Sequence, residues 1–352
     1  MLSTTIKNLH LSEQAEKDIE ASGFIGKNTA FSEYCQDISV MNEFALAEKL
    51  TEYSALTGKR VQGFSEIHIA AYYAELFAGF IYFVPEYNQF YFMQNGRYVP
   101  DTKQRATLAM KALVLSCIAL SDSFSKFLTS AKISSCLELA KSCTEIQRSA
   151  DDFDKCGTIL NTPNGCFDLR TGQPAEYQPS MIQTGVSPEF DNETPVWDMF
   201  LSGITKGDSR LAEYIASRFA YSLVYGNSEQ TFTLCHGSGA NGKGVLLGLM
   251  QHIFGSYAVS IQPEMLTIDK NGQARPSPEM LQLRNRRLII CSETSQGMAL
   301  NLQRIKALTG GDKVSARPLF SNMVSEFPVG GQIVIQTNHL PALNTVDFAI
   351  KR

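Results

Sequence analysis

The run TFTLCH, residues 231–236, passes without a break into GSGANGKG, residues 237–244, and then into VLLGLM, residues 245–250. An apolar, β-branched stretch, a glycine-rich turn and an apolar run predict strand, loop and helix in immediate succession. Little else in the chain restricts its fold as much, because a strand feeding a helix through so short a loop is the building unit of a parallel α/β sheet. Gly237, Gly239 and Gly242 let backbone N–H groups curl around an anion, while Ser238, Ala240 and Asn241 fill the positions between them. The helix N-terminus adds partial positive charge there. Lys243 follows at the G-x-x-x-x-G-K spacing, in which the lysine reaches the β- and γ-phosphates of a nucleoside triphosphate. A chance glycine turn is the bland alternative, and the flanking strand and helix weigh against it. One position departs from the pattern: Gly244 stands where a serine or threonine would offer a hydroxyl to Mg²⁺. Water would have to fill that coordination position, so weaker metal binding is expected.

Two further apolar strands end in polar residues. Arg286 and Arg287 lead into LIIC, residues 288–291, followed by Ser292 and Glu293. A carboxylate at the carboxyl end of a buried parallel strand can hold Mg²⁺ or polarise an attacking water. Alone, such an ending is common; behind a phosphate loop it reads as the acid of a nucleotide site. Ser292 occupies the place where many ATPases carry Asp, leaving Glu293 to act unaided. The third strand, QIVIQT at residues 332–337, ends at Asn338, whose amide is positioned to orient water or a γ-phosphate oxygen. An isolated Asn there would more often be a turn former. Gly237 to Asn338 is about a hundred residues, so all three strands fit one small sheet.

The rest of the chain is read more coarsely. Residues 1–65 form an extension without assignable chemistry, with one or two short helices expected around Met41 to Ser54. A mainly helical domain is expected over 66–228 and the α/β unit over 229–352. Within the middle domain, residues 68–100 read as a helix and a hairpin turning at Gln94-Asn95-Gly96. Their many aromatic rings are assigned to core packing in preference to base stacking. Helices are expected over 103–150, with Leu108, Ala112, Leu115 and Leu120 near helical spacing. Turn-rich clusters at 161–165 and 168–172 flank a short strand, and another helical stretch runs from Pro195 to Tyr225 with the lone Trp197.

Composition narrows the class. At 352 residues, 44% hydrophobic and 19% charged, the chain has material for about two cores. No signal peptide or apolar run of membrane-spanning length is evident, which implies a soluble, cytoplasmic protein without membrane contact. The 8 cysteines lack CxxC spacing and the 5 histidines lack HxxxH spacing, so reduced thiols are expected and a zinc site is not. From Thr231 onward there are 12 basic against 7 acidic side chains, a balance of +5, while the first 230 residues carry −9. That asymmetry suits anionic ligands at one end without identifying nucleic acid.

Taken together, GSGANGKG, then RRLIICSETSQG, then IKALTGGDKVSAR at 305–317, then QTNHLP at 336–341 resemble the superfamily 3 helicase domain of phage and plasmid primase-helicases, relatives of the poxvirus primase-helicase. The stretch from Thr158 to Gly172 looks like the helical region ahead of that helicase. The likeness covers roughly residues 66–352 and rests on motif order more than on any one motif. It implies an AAA+-like P-loop ATPase sheet with helices on both faces, preceded by a mainly helical domain. The implied assembly is a ring, hexameric in the family, that couples ATP hydrolysis with Mg²⁺ to translocation on single-stranded or forked DNA during replication of a mobile element, alongside a primase or initiator. Lys243, Glu293 and Asn338 would come from one subunit and an arginine from its neighbour, matched here by Lys351-Arg352. The family's channel hairpin corresponds to Leu319–Ser325, which carries no basic tip; Lys306, Lys313 and Arg317 are the nearby candidates for DNA phosphates, and Arg317 reads equally as a packing residue.

Two readings stay open at this point. The first is a DNA-dependent ATPase and helicase. The second is a helicase-derived assembly or regulatory protein that binds nucleotide and oligomerises with little translocation, which Gly244, the uncharged hairpin tip and the chain end at Arg352 would favour. A small-molecule P-loop kinase is a weaker third, since residues 255–330 show neither lid nor acceptor pocket.

Overall fold

A computed structural model describes residues 30–31, 35, 38, 40–188, 193–267, 278–292, 299–317 and 324–340. The chain divides into two compact units at Asp152/Phe153.

In the first unit, α1 (Glu43–Thr57) starts at Asn42, whose side chain accepts from the amides of Phe44 and Ala45, and stops at Gly58 in the left-handed conformation. The helix α2 (Glu66–Phe77) leads into three antiparallel strands, β1 (Ile81–Val84), β2 (Gln89–Gln94) and β3 (Arg97–Pro100). Gln94 pairs with Arg97, so Asn95-Gly96 is a two-residue turn with φ of 51° and 77°, the geometry that Asn-Gly favours in tight hairpins. The sequence pattern anticipates this hairpin but not the added strand β1. The rings pack inward as expected: Tyr73, Phe77, Phe83, Phe92 and Tyr98 are all buried, and Tyr73 donates its hydroxyl to Ala106 O at 3.0 Å.

Helix α3 (Arg105–Leu120) begins where Asp101 accepts from the amides of Arg105 and Ala106 at 2.7 and 2.8 Å. It is buried continuously from Ala112 to Ile118, a central helix more than an amphipathic one, and Leu120 is exposed. Helix α4 (Ser130–Ala140) follows. Residues around Met41 belong to this unit, because Arg105 donates to Met41 O at 3.0 Å.

The second unit opens with an antiparallel meander of β4 (Ile159–Thr162), β5 (Gly165–Asp168) and β6 (Gln173–Ala175). The segment Thr158–Gly172 is therefore built of strands and turns, as its turn-rich clusters around a short strand predict, and not of the helices that the resemblance implies for that region. Two helices, α5 (Pro195–Ile204) and α6 (Ser209–Ser222), replace the single helix expected from Pro195 to Tyr225. The break falls at Lys206 and Gly207, with φ of 53° and 78°, and Asp208 then caps α6 through the amides of Arg210 and Leu211.

The sheet contains β7 (Phe232–His236), β8 (Ala258–Ile261), β9 (Leu288–Cys291) and β12 (Gln332–Thr337), all parallel, in the order β7-β12-β9-β8. Helix α7 (Lys243–Phe254) joins β7 to β8, while α8 (Leu302–Gly310) and the antiparallel pair β10 (Lys313–Ala316) and β11 (Ser325–Pro328) lie between β9 and β12. The period of two along each strand divides the core. Leu288, Ile290 and Val334 pack with Leu246, Leu247, Met250 and Phe254 of α7, whereas Ile289, Cys291, Ile333 and Ile335 pack with Ile305 and Leu308 of α8. Helices thus cover both faces, and the three strands read from the sequence share one sheet with β12 at its centre.

The division at Asp152/Phe153 differs from the sequence boundary near residue 228. The reason is that 153–228 are stitched to the sheet. Arg287, 3% exposed at the foot of β9, donates to Leu223 O and Ile159 O and lies 4.3 Å over the Tyr257 ring. The Tyr257 hydroxyl, its pKa pushed up to about 12 by burial, accepts from the Asn161 amide at 2.9 Å. Gly226 donates to Gly330 O and the Tyr225 hydroxyl to Pro328 O, at 2.9 and 2.7 Å. Asp154 completes the knot, bonded by Ser180 Oγ and the Met181 amide; burial raises its carboxyl pKa, and Arg287 pulls against that shift.

No described helix is long and apolar enough to cross a membrane. All eight cysteines carry free thiols, in keeping with their lack of paired spacing.

Candidate functional site

Strands β7 and β12 run side by side with His236 opposite Thr337, so their carboxyl ends reach the same edge of the sheet. One delivers the loop 237–242 and the other delivers Asn338 directly opposite it. The loop closes on Gly242, whose φ of 84° is left-handed and where an added Cβ would lie 2.5 Å from Ile204 Cγ2. Glycine is required there both by conformation and by the approach of α5. Ala240 is also left-handed, with φ 58°. No side chain caps α7 at Gly242, which leaves its first-turn amides for an outside acceptor.

Lys243 is the first residue of α7, and its ammonium is turned back over the loop. Its Nζ lies 2.6 Å from Gly237 O, 3.3 Å from Ser238 O, 2.9 Å from Asn241 Oδ1 and 3.2 Å from Asn338 Oδ1. Four oxygens share three protons, a set of partners that anionic oxygens can replace at little cost. The structure thus brings together the loop residues Gly237 to Gly244, Lys243 and Asn338. Gly244 has open space: an added Cβ would meet only Gln336 Nε2, at 3.9 Å.

The remaining sequence candidates fall elsewhere. Glu293 lies outside the described residues, although β9, which leads toward it, pairs Cys291 with Ile335 of β12 and so ends at the same sheet edge. Lys351 and Arg352, and the hairpin tip 318–323, also lie outside them. Lys306 sits half-buried on α8. Lys313 is exposed at the open end of the β10–β11 pair, opposite Pro328, while Arg317 is exposed just beyond the last pair, Ala316 with Ser325, on the side of the tip.

Sequence reasoning overlooked Arg218. It extends from α6 to donate through Nη2 to Gln332 Oε1 at 3.1 Å and to Thr233 Oγ1 at 3.3 Å. Its signal was present as a lone arginine between apolar residues Ile215 and Phe219 on one helical face, and as the polar Gln332, 1% exposed, opening an apolar strand. Asn241 was read as loop filler; its side chain instead folds across the loop, so close that a Cβ on Gly237 would lie 2.2 Å from its Nδ2.

Mg²⁺ is tested by the donor set. Among the described residues no group of three or more acidic, His or Cys side chains gathers, and the loop provides neither carboxylate nor hydroxyl at Gly244. These residues do not make a metal site by themselves, so an ion there would be held mainly by the phosphates it accompanies.

Fold and loop together define a parallel α/β domain with a glycine-loop helix at its sheet edge. Residues 68–206 match the D5 N-terminal-like family, across the division of the two units, and residues 235–352 match a family of unknown function, DUF5906. A protein of Acanthamoeba polyphaga mimivirus named as a helicase is 26% identical over 217 residues, 59% of this chain and 22% of that protein. A protein of African swine fever virus named as a primase is 26% identical over 168 residues, 46% of this chain and 17% of that protein. The chain therefore spans about a fifth of the length of these relatives. The C-terminal region of NrS-1 is similar at 12% identity with a TM-score of 0.45, covering 76% of this chain and 56% of that one. Over parts of its length the chain is thus similar to viral proteins named as helicases and primases.

Proposed function

We propose that the loop 237–244 grips the triphosphate of ATP and that the domain is an AAA+-like, superfamily 3 ATPase acting as a helicase or translocase in replication of a phage, plasmid or other mobile element. The observation that carries this reading is the Lys243 ammonium held over the loop mouth at the head of α7, 3.2 Å from Asn338 Oδ1 of the adjacent strand. The loop amides and Lys243 bind and orient the β- and γ-phosphates, and Asn338 holds the γ-phosphate or the attacking water in line. Glu293 is assigned the carboxylate role on that water, with a neighbouring subunit's Arg352 neutralising charge. Lys306, Lys313 and Arg317 are assigned to single-stranded DNA in the channel of a ring of identical subunits, and a primase or initiator is the expected partner.

Gly244 supports a second reading, a nucleotide-dependent assembly protein with little translocation. The two separate in one experiment: ATP turnover by the purified chain with and without single-stranded DNA, alongside sizing with and without nucleotide. Turnover stimulated by DNA supports the motor. Nucleotide-dependent oligomers without turnover support the scaffold and overturn the motor.

A related prediction concerns the ion. Because a side chain fits at 244, Gly244→Ser is expected to tighten Mg²⁺-dependent nucleotide binding by roughly tenfold, read by calorimetry with and without Mg²⁺. Equal affinity in the two proteins would show that water already completes the shell.

A further inference from the structure

The aromatic side chains of the first unit pack inward, with Phe64 as the largest departure: at 59% it is the most exposed aromatic side chain among the described residues. Its ring rests on Phe124, with centroids 5.0 Å apart and planes 36° to one another, and at that exposure the opposite face is left to solvent. The loop that presents the ring is fixed from behind. Gly63 lies so close to the His68 imidazole that an added Cβ would stand 2.7 Å from it, and Ser65 Oγ lies 2.6 Å from His68 Nδ1. Ile67, 67% exposed, extends the apolar surface onto the first turn of α2. Cations frame this surface. Lys126 belongs to the 3-10 segment Asp122–Phe127 that also supplies Phe124, and its Nζ lies 5.0 Å from the centre of the Phe127 ring. Lys132 Nζ lies 2.5 Å from Glu66 Oε1; that hydrogen bond holds the Glu66 carboxyl below its usual pKa, with a weaker pull from Lys126, so both ammonium groups stand near the start of α2. Arg60, in the same loop as Phe64, is exposed. Glu66 is matched by Lys132, and Glu75 lies 4.0 Å from Lys59. Arg60 and Lys126 bond to no described carboxylate, and against them stands Asp122, exposed on the same segment as Lys126.

We infer that this surface binds single-stranded DNA: a base stacks on the open face of Phe64 beside Ile67, and Arg60 and Lys126 take the neighbouring phosphates. Every base has a π-face, so an exposed ring set among cations holds a strand without reading its sequence. The chemistry of the patch favours a nucleic acid over a purely acidic peptide, which would satisfy the two cations and leave the ring in water. The choice of DNA as the strand rests on the helicase reading above. The surface itself belongs to the first unit, carries none of the residues of the glycine loop and needs no nucleotide.

The test is fluorescence anisotropy of a fluorescein-labelled thymidine decamer on the full chain, over a range of salt concentrations. Phe64→Ala should weaken binding by about fivefold or more, the effect of one lost stacking platform. Phe64→Tyr keeps a ring and should stay within about twofold of the intact protein. Arg60→Gln combined with Lys126→Gln should weaken binding and reduce the slope of log affinity against log salt by about 1.4, the counterions of two single-strand phosphates. Equal affinity of Phe64→Ala and the intact protein, or a loss that Phe64→Tyr shares, would overturn the stacking site while sparing the helicase reading. An unchanged salt slope would overturn the two phosphate contacts. Displacement of the labelled decamer by polyglutamate as readily as by unlabelled decamer would give the surface to an acidic protein segment and overturn its assignment to DNA. No binding of the decamer by the intact chain, with the nonhydrolysable analogue adenylyl imidodiphosphate or without it, would instead overturn the helicase reading itself.

Discussion

Lys243→Ala is expected to lower DNA-stimulated ATP turnover at least a hundredfold, about 2.7 kcal/mol of lost stabilisation at 25 °C. The magnitude follows from what the ammonium does. It is the one cation bonded to the loop among the described residues, and it faces the carbonyls of Gly237 and Ser238, which repel phosphate oxygens unless a proton donor stands between them. Asn338→Ala removes a neutral partner and is expected to cost about tenfold. Because Lys243 and Asn338 are 3.2 Å apart, the double variant should lose less than the product of the two single effects. Steady-state turnover on the four proteins gives the coupling directly; strictly independent effects would separate the two residues.

The second large effect is on stability. Arg287→Met removes the donor to Leu223 O and Ile159 O, and the cation that opposes the burial-driven rise of the Asp154 carboxyl pKa. Breaking a buried charge cluster from one side typically costs ~3–5 kcal/mol, which for a unit of this size lowers the melting temperature by about 10 °C. Its pH dependence has a definite sign. An acid whose folded pKa is raised contributes stability below its unfolded pKa and loses it as pH rises through the folded value. Without Arg287 the Asp154 pKa rises further, so the variant's deficit should be larger at pH 8 than at pH 5. Urea unfolding at both pH values reads this, and equal deficits would show that Asp154 is insensitive to Arg287.

Arg287 also marks where the sequence stops being legible. The strands 231–236, 288–291 and 332–337 are continuous apolar runs because both faces of a parallel sheet are covered, and such runs announce themselves. Lys243 and Asn338 follow from where those runs end. The short strand Ala258–Ile261 is flanked by Gly255 and Pro263 but has too few residues for a strand period to stand out, and it pairs with β9 in the parallel sheet. The helix break at Lys206-Gly207 needed a backbone conformation that a helical hydrophobic pattern conceals. Arg287 looked like part of a charged lead-in to β9. Only the fold shows it 3% exposed and tying the meander β4–β6 and the end of α6 to the sheet. Long-range partners of this kind leave no local period to read.

Amide hydrogen exchange with and without adenylyl imidodiphosphate tests the phosphate grip most directly. Slowed exchange concentrated in residues 237–244 and the first turn of α7, abolished by Lys243→Ala, is the predicted result. Nucleotide binding that leaves those amides exchanging at their free rate, with protection arising elsewhere in the chain, would contradict it.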